Sequence, residues 1–258
     1  MKQKYINISQ KNRFDSNNPE MKLKQQNSNQ TDKKHYGILI HQIARELESS
    51  HNTPIRFSDI ANCDKRRQSD LFNILEALGL FSYCSDKRVV WKGFGAIITS
   101  LVRHGIQNEI RSKSETIDSM FFVGQSPSLG TLVTTFISLY IFLGVECLNI
   151  KEVANLLSQT QEQAKKILRR LYSIVFVLEQ LNIIEHGVSH SEYILKEPLD
   201  LIISSIFQEI FKMNLFPEDS VEFYLNRYDK NYLNFIHEYR IEAYSKIIKK
   251  FEKDSTLK

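Results

Sequence analysis

Glycine and proline are scarce, nine and five among 258 residues. So few turn-formers exclude an all-β sandwich and argue for long helices. The three cysteines, Cys63, Cys84 and Cys147, stand far apart with no Cys-x-x-Cys. Neither a disulfide framework nor a zinc clip is expected, which fits a reducing compartment. The common catalytic signatures are missing too: no Gly-x-Gly-x-x-Gly, no Gly-x-x-x-x-Gly-Lys-Ser/Thr, no His-Glu-x-x-His and no Gly-x-Ser-x-Gly occur in the chain. His186 and His190 are four apart but have no Cys or carboxylate pair at ligand spacing, so no metal site is expected. Glu46 and Glu48, two apart on a helix, do not face each other. The expectation is a non-enzyme with no cofactor and no small-molecule substrate.

The chain is long enough for one large domain or two small ones with a real core. With 42% apolar and 25% charged residues it matches globular averages, which argues against wholesale disorder and against a multispanning membrane protein. Its formal charge of +4 is uneven. Residues 1–35 hold eight Lys/Arg (Lys2, Lys4, Lys11, Arg13, Lys22, Lys24, Lys33, Lys34) against three acids, so the remainder sums to about −1. Any basic patch on the folded part must therefore be local. The Asn-, Gln- and Lys-rich residues 1–35 read as a solvated, disordered basic tail, suited to nonspecific DNA affinity, nuclear import or solubility. The opening MKQKYINISQKNRF has no apolar core of signal-peptide length. From Ser119 to Val145 no residue is charged, but only Leu129–Val145 is mainly apolar, and it contains Gly130, Thr131, Thr134, Thr135, Ser138 and Gly144. That is short of the roughly 20 apolar residues of a spanning helix, so it reads as a buried helix and no membrane partner is expected.

The chain also repeats itself. KRRQSDLFNILEALGLF (65–81) and LRRLYSIVFVLEQLNII (168–184) are offset by 103 residues and share Arg66/Arg169, Arg67/Arg170, Leu75/Leu178, Glu76/Glu179 and Leu78/Leu181. Apolar residues recur in phase at Leu71/Ile174, Phe72/Val175, Ile74/Val177, Leu80/Ile183 and Phe81/Ile184. Ahead of the first copy, Ile40, Ile43, Ala44 and Leu47 predict a helix, and FSDIAN a short second one. Ahead of the second stand LGTLVTTFISLYIFL and LNIKEVANLLS. After each long helix comes a hairpin: Leu80–Tyr83 and Arg88–Lys92 around Ser85–Lys87, then Ile183–Glu185 and Glu192–Leu195 around Gly187. Helix, helix, longer helix and two-stranded wing, twice, is the order of a winged helix-turn-helix. The fold class expected is mainly α with small β wings (α+β): tandem winged helix-turn-helix domains plus a C-terminal helical region.

On a helical wheel Leu71, Ile74, Leu75 and Leu78 share one face, with Arg66, Asp70 and Asn73 opposite. A helix in the major groove presents its N-terminal residues to base edges, and the planar fork of Arg matches both guanine acceptors. Arg66 and Arg67 stand in that place, with Lys65 beside them. Solvation, or pairing with Asp64 and Asp70, is the other reading of such a doublet; its recurrence at Arg169 and Arg170 favours the reading role. Arg56, Lys87, Arg88 and Lys92 are candidate phosphate contacts, though an exposed hairpin is also commonly basic.

These residues carry a family resemblance. RRQSDLFNILEALGLF and RRLYSIVFVLEQLNIIE, with VVWKG after the first and SLGTLVTTFISLYIFL before the second, resemble the E-two-F/DP cell-cycle transcription factors. That signature opens the reading helix with Arg-Arg-x-Tyr-Asp, continues with an Asn-Val-Leu-Glu-like stretch and ends the wing near Trp-x-Gly. Two domains in one chain look most like the atypical branch, which binds DNA without a separate DP partner and usually represses. The resemblance covers Tyr36–Gly93 and Ser128–Leu195. It implies that Arg66, Arg67, Arg169 and Arg170 contact guanines of a GC-rich, pseudo-palindromic site, with the two domains packed as an intramolecular pseudo-dimer. The first copy has Ser69 for the family's Tyr but keeps Asp70 and Asn73; the second keeps Tyr172 but has Ser173 and Phe176 for Asp and Asn, and its wing ends in EYIL. The first copy is therefore expected to be the primary reader, the second assisting through Lys165, Lys166, Arg169 and Arg170 or serving as a dimer-like partner.

Residues 97–127 read as a linker with one short helix and a loop, between domains at 36–96 and 128–196. In the C-terminal region, 197–258, two helices are expected, Leu199–Leu215 and one opened by Pro217, Glu218 and Asp219. In the latter Val221, Leu225, Tyr228, Tyr232, Phe235 and Tyr239 recur at 4,3,4,3,4, for core packing or for a DP-like or self partner through the 221–251 helix; the winged-helix domains are the other candidate surface for such a partner. The functional expectation is a nuclear, repressor-like, double-stranded-DNA-binding regulator of cell-cycle or meiotic genes. The alternative is a tandem winged-helix interaction scaffold that has lost DNA readout.

Overall fold

The computed structural model describes residues 35–50, 53–56, 65–84, 88–212, 221 and 230–256. The sequence expectations for the basic tail, for FSDIAN, for the turn at Ser85–Lys87 and for most of 213–229 lie outside the described residues. The chain divides into two units, Met1–Ile38 and Leu39–Lys258. Of the first, only residues 35–38 are described, as the opening of helix α1 (35–49). The second carries every other described element, and it is mainly helical with two small antiparallel sheets.

Each copy of the repeat builds one sheet. The first runs β1 (Ile55–Arg56), α2 (Lys65–Ala77), β2 (Phe81–Tyr83), β3 (Arg88–Trp91). The second runs α5 (Leu129–Leu143), β4 (Cys147–Asn149), α6 (Ile150–Leu156), α7 (Gln161–Gln180), β5 (Ile184–His186), β6 (Glu192–Leu195). Between them lie α3 (Ala96–Arg111) and α4 (Ile117–Phe121). Strand order is β1-β3-β2 in one sheet and β4-β6-β5 in the other, the last strand central in both. Phe81 pairs with Trp91 and Ile184 with Leu195, so the hairpins keep the offset of 103 on their first strands. The outer strands β1 and β4 turn the expected two-stranded wings into three-stranded sheets. At two and three residues they are too short for alternation to announce them. Matching registers also expose a length difference: ten residues separate Arg56 from Arg66, twenty separate the equivalent Asn149 from Arg169.

Helix α5 is the apolar centre. Ser128 caps it, accepting from the Thr131 amide at 3.0 Å, and Gly144 ends it in the left-handed conformation at φ 66°. Ten of its fifteen residues, from Leu132 and Val133 through Phe136–Leu143, are buried, so the uncharged stretch is a core helix. Among the described residues no helix is long and apolar enough to cross a membrane. The Tyr140 hydroxyl donates to the Tyr193 carbonyl at 2.9 Å, fastening α5 to β6. The segment expected as linker contributes α3, a sixteen-residue helix that buries Ile97, Ser100, Leu101 and Gly105 and packs on α5 and on α8 (Leu199–Lys212). Its face recurs every four residues but is interleaved with Arg103, His104 and Glu109, which hides the period. A methyl on Gly105 would come within 2.1 Å of Ile206 Cδ1, so α3 and α8 approach too closely for any side chain there.

The last helix, α9 (Lys230–Thr256), packs on α4, α5 and α6. Its core face is not the 4,3,4 stripe read from the sequence. Phe235 and Tyr239 of that stripe are 66% and 67% exposed, while Arg240, Tyr244 and Ile248 are buried. An arginine can take a core position here because its partners are already in place. Its fork makes two bonds, Nη1 to Glu109 Oε1 at 2.8 Å and Nη2 to Glu109 Oε2 at 2.6 Å; Nη1 also reaches the Phe142 carbonyl at 3.0 Å, and Cζ sits 4.0 Å from the Phe142 ring centroid. One helical turn away Tyr244 donates to Glu152 at 3.3 Å.

Removing one partner of this buried pair strands the other, so Arg240→Ala is expected to lose about 3–5 kcal/mol in urea unfolding. His237 lies against Gly144, where a methyl would meet Nδ1 at 2.3 Å. Burial, then the charge of Arg240, holds His237 below the ordinary imidazole range, against weaker opposing pulls from Glu109 and Asp200. A depressed folded-state pKa means stability present above the unfolded value of about 6.5 and lost as pH falls below it. Unfolding midpoints are expected to drop from about pH 7 to pH 5, and His237→Phe to flatten that acid limb.

Candidate nucleic-acid interface

Helix α7 is held from its first turn. Thr160 Oγ1 accepts from the Gln163 amide at 3.2 Å, and the buried Gln163 side chain accepts from the Gln159 amide at 3.1 Å while donating to the Gly124 carbonyl. This is a Thr-x-x-Gln cap whose returning bond lands one residue early. Ala164, Ile167, Leu171, Ile174, Val175, Val177 and Leu178 are buried, fixing the rotation of the helix. The opposite side is therefore solvent-facing: Lys165, Lys166, Arg169, Tyr172 and Ser173 are all exposed and follow one another at three- and four-residue steps. Lys166 pairs with Glu162 at 2.6 Å, both well exposed. Arg170 points the other way, half-buried, and its Nη1 donates to the Pro127 carbonyl. The second doublet is thus divided: Arg169 faces out, Arg170 anchors the corner ahead of α5.

In α2, Leu71, Phe72, Ile74 and Leu75 are buried, and Lys65, Arg66, Asp70 and Asn73 are exposed as the wheel requires. Arg67 is half-buried, and both Arg66 and Arg67 interact with other groups of the chain. The far end of the same face meets the second copy. A methyl on Gly130 of α5 would stand 3.6 Å from the Asn73 carbonyl and 3.7 Å from Ala77 Cβ. Asn73 and Glu76 border a polar cleft of about 500 Å³ whose other walls include His104 and Gln107 of α3 and Thr131 of α5. Asn73, itself exposed, therefore borders an open cleft shared with α3 and α5, while Lys65, Arg66 and Asp70 occupy the end of the helix away from it.

The two sheets differ in charge at equivalent positions. Arg56 lies directly opposite Arg88 in the first, with the exposed Lys92 just beyond the strand; the same register in the second pairs Asn149 with Glu192. Like charges facing across a ladder are unfavourable unless an anion lies near. The second hairpin is acidic instead: Glu185 lies 3.5 Å from Lys196 and Glu179 lies 3.5 Å from His186. Burial foremost, then the Glu179 charge and then Tyr172, pushes Tyr193 up to about 12. His186 and His190 stack at 5.9 Å. Among the described residues no three His, Cys, Asp or Glu are grouped to hold a metal ion.

Sequence reading missed Gln163 and Pro127, which orient the basic stripe without belonging to it. A Thr-x-x-Gln string ahead of the apolar period signals the first; nothing local signals the second. No family model and no curated protein matches the chain.

Thr160→Ala removes the cap and is expected to lower stability by about 1 kcal/mol. Hydrogen exchange should show the loss concentrated at the Gln163 amide and its turn; a uniform rise along α7 would mean the cap does not order this end.

Proposed function

We propose that this chain is a sequence-specific double-stranded-DNA-binding regulator of transcription, nuclear and repressor-like, built from tandem winged helix-turn-helix domains. One observation carries it. Helices bearing the same Arg-Arg doublet precede, at the same spacing, hairpins in two sheets of matching strand order, and each turns the first arginine of its doublet outward, although the doublet opens α2 and lies near the middle of α7. That repetition is hard to explain by solvation, because a solvated face needs no fixed register against a sheet. Arg66, Arg67 and Arg169 read base edges, with Lys65, Asp70 and Tyr172 beside them and Asn73 and Arg170 setting the helix positions. Lys165 and Lys166 on α7, and Arg56, Arg88 and Lys92 on the first sheet, hold phosphates and fix register. The near-neutral total charge of the residues beyond the tail suits a reader whose affinity is concentrated in two local patches.

A second reading, a winged-helix interaction scaffold, draws on α2: its Asn73–Ala77 end is turned to α3 and α5, and Arg170 is tied to Pro127. The two readings part on duplex DNA. A selection on random duplexes with the full chain is expected to return a GC-rich site. Against that site Arg66→Ala and Arg169→Ala should each cost about 1–3 kcal/mol, roughly 5- to 150-fold in Kd, and relax preference at one base. Lys165→Ala should weaken all duplexes alike and reduce the slope of log K against log salt by about 1. Retention on DNA that neither responds to salt nor changes with these substitutions would leave the scaffold.

A further inference from the structure

Within α9 the described part of the heptad-spaced stripe, from Phe235 on, faces away from the core and continues further than the aromatics first suggest. Phe235, Tyr239, Glu242, Lys246, Lys249 and Lys253 follow at 4,3,4,3,4, and all six are exposed. They lie opposite the face that buries Arg240, Tyr244 and Ile248. Their order is polarised: two large rings first, one acid next, then three lysines. Glu242 and Lys246 meet at 2.7 Å at the middle of the stripe, where they satisfy one another in solvent.

We infer that this face pairs with the same face of a second copy of the chain, the two helices running antiparallel. The charge order selects both occupant and direction. Positions equidistant from residue 244 match Phe235 with Lys253, Tyr239 with Lys249 and Glu242 with Lys246. An antiparallel pair therefore sets ammonium groups over aromatic rings at both ends and crosses two ion pairs in the middle. A parallel pair sets Lys249 against Lys249 and Glu242 against Glu242, which repels at every polar step. A helix rises 1.5 Å per residue, so the matched stretch is roughly 27 Å long. Two rings per copy make a small apolar centre with a polar rim, a surface for a reversible homodimer. The inference is independent of DNA binding, and it uses the stripe that neither the core nor the two candidate DNA patches occupy.

The test is sedimentation equilibrium of the full chain without nucleic acid, from about 1 to about 100 μM. The natural chain is expected to show a reversible monomer–dimer equilibrium. F235K/Y239K and K249E/K253E should each weaken it at least about tenfold with unchanged helicity, since all four sites are exposed. Mixing those two variants brings introduced lysines opposite introduced glutamates, and a one-to-one heterodimer should return. A natural chain that stays monomeric at the highest concentration overturns the inference, as do variants that dimerise normally or a mixture that shows no recovery. A K249E/K253E chain that loses duplex-DNA affinity while F235K/Y239K keeps it also overturns it, because phosphate would then occupy the basic end.

Discussion

A helix whose last eight residues, Phe136–Leu143, are all buried has to be covered there on every side, and that requirement organises the molecule. α5 meets α2 of the first copy, α7 of its own copy, and α3, α8 and α9 from outside the repeat. Most of its buried area comes from Phe136, Ile137, Leu139, Tyr140 and their neighbours, each covered side chain contributing on the order of 1.5–3 kcal/mol before conformational entropy is set against it. Because α2 is one of its neighbours, the two copies touch directly, through the close approach of Gly130 to Asn73 and Ala77. The clasp at the far end has the same logic. Arg240 brings α9 onto Glu109 of α3 and the last turn of α5 in one bidentate contact, so the strap over the apolar centre is fixed by direction as well as by area.

Joining the copies this way costs them their equivalence. The end of α2 that approaches α5 is set beside α3 and α5, so under the DNA-reading proposal the first helix reads from its first turns, Lys65 to Asp70. In the second copy the corresponding helix runs for two turns ahead of its doublet and keeps its outer side open from Lys165 to Ser173. The sheets divide the other way, with Arg56 opposite Arg88 in the first and Asn149 opposite Glu192 in the second. Under the DNA-reading proposal the first copy then depends more on its sheet and the second more on its helix. That reverses the emphasis that residue identities alone suggest, in which the better-kept Asp70 and Asn73 favour the first copy.

Much of this was legible in the sequence, and the reasons for the rest are specific. The long helices and both hairpins follow from apolar periodicity because their buried faces are made of regularly spaced apolar residues, and the offset of 103 follows from that shared phase together with the repeated Arg-Arg and Glu identities. β1 and β4 escaped because two or three residues hold no alternation. α3 was hidden because its buried face includes Ser100 and Gly105, residues that read as polar or as breakers until α8 is known to press against them. Arg240 could not be found as a core residue, since the groups that make its burial tolerable, Glu109 and Phe142, lie 131 and 98 positions away. At the candidate site the outward residues of α7 follow from the wheel, but the turning of Arg170 toward Pro127 does not. Adjacent residues on a helix stand about 100° apart, so a doublet is always divided between two directions. Which direction is taken inward depends on a tertiary neighbour.

The outward stripe of α9, which the sequence leaves open between core packing and a partner surface, has the same origin and a wider meaning. A helix of 27 residues has room for two stripes, and the one easiest to see in sequence, with its large rings at regular steps, is the one left outside. The inner stripe contains Arg240 and His237, which any hydropathy pattern would discard. Such an inversion is stable only if the inner polar groups find partners, as Arg240 and Tyr244 do, and if the outer rings do not drive nonspecific association. Flanking those rings with Glu238, Glu242 and Lys246 limits the second risk by making close approach conditional on charge order. Under the pairing inferred above, that stripe is a surface that discriminates between directions of approach.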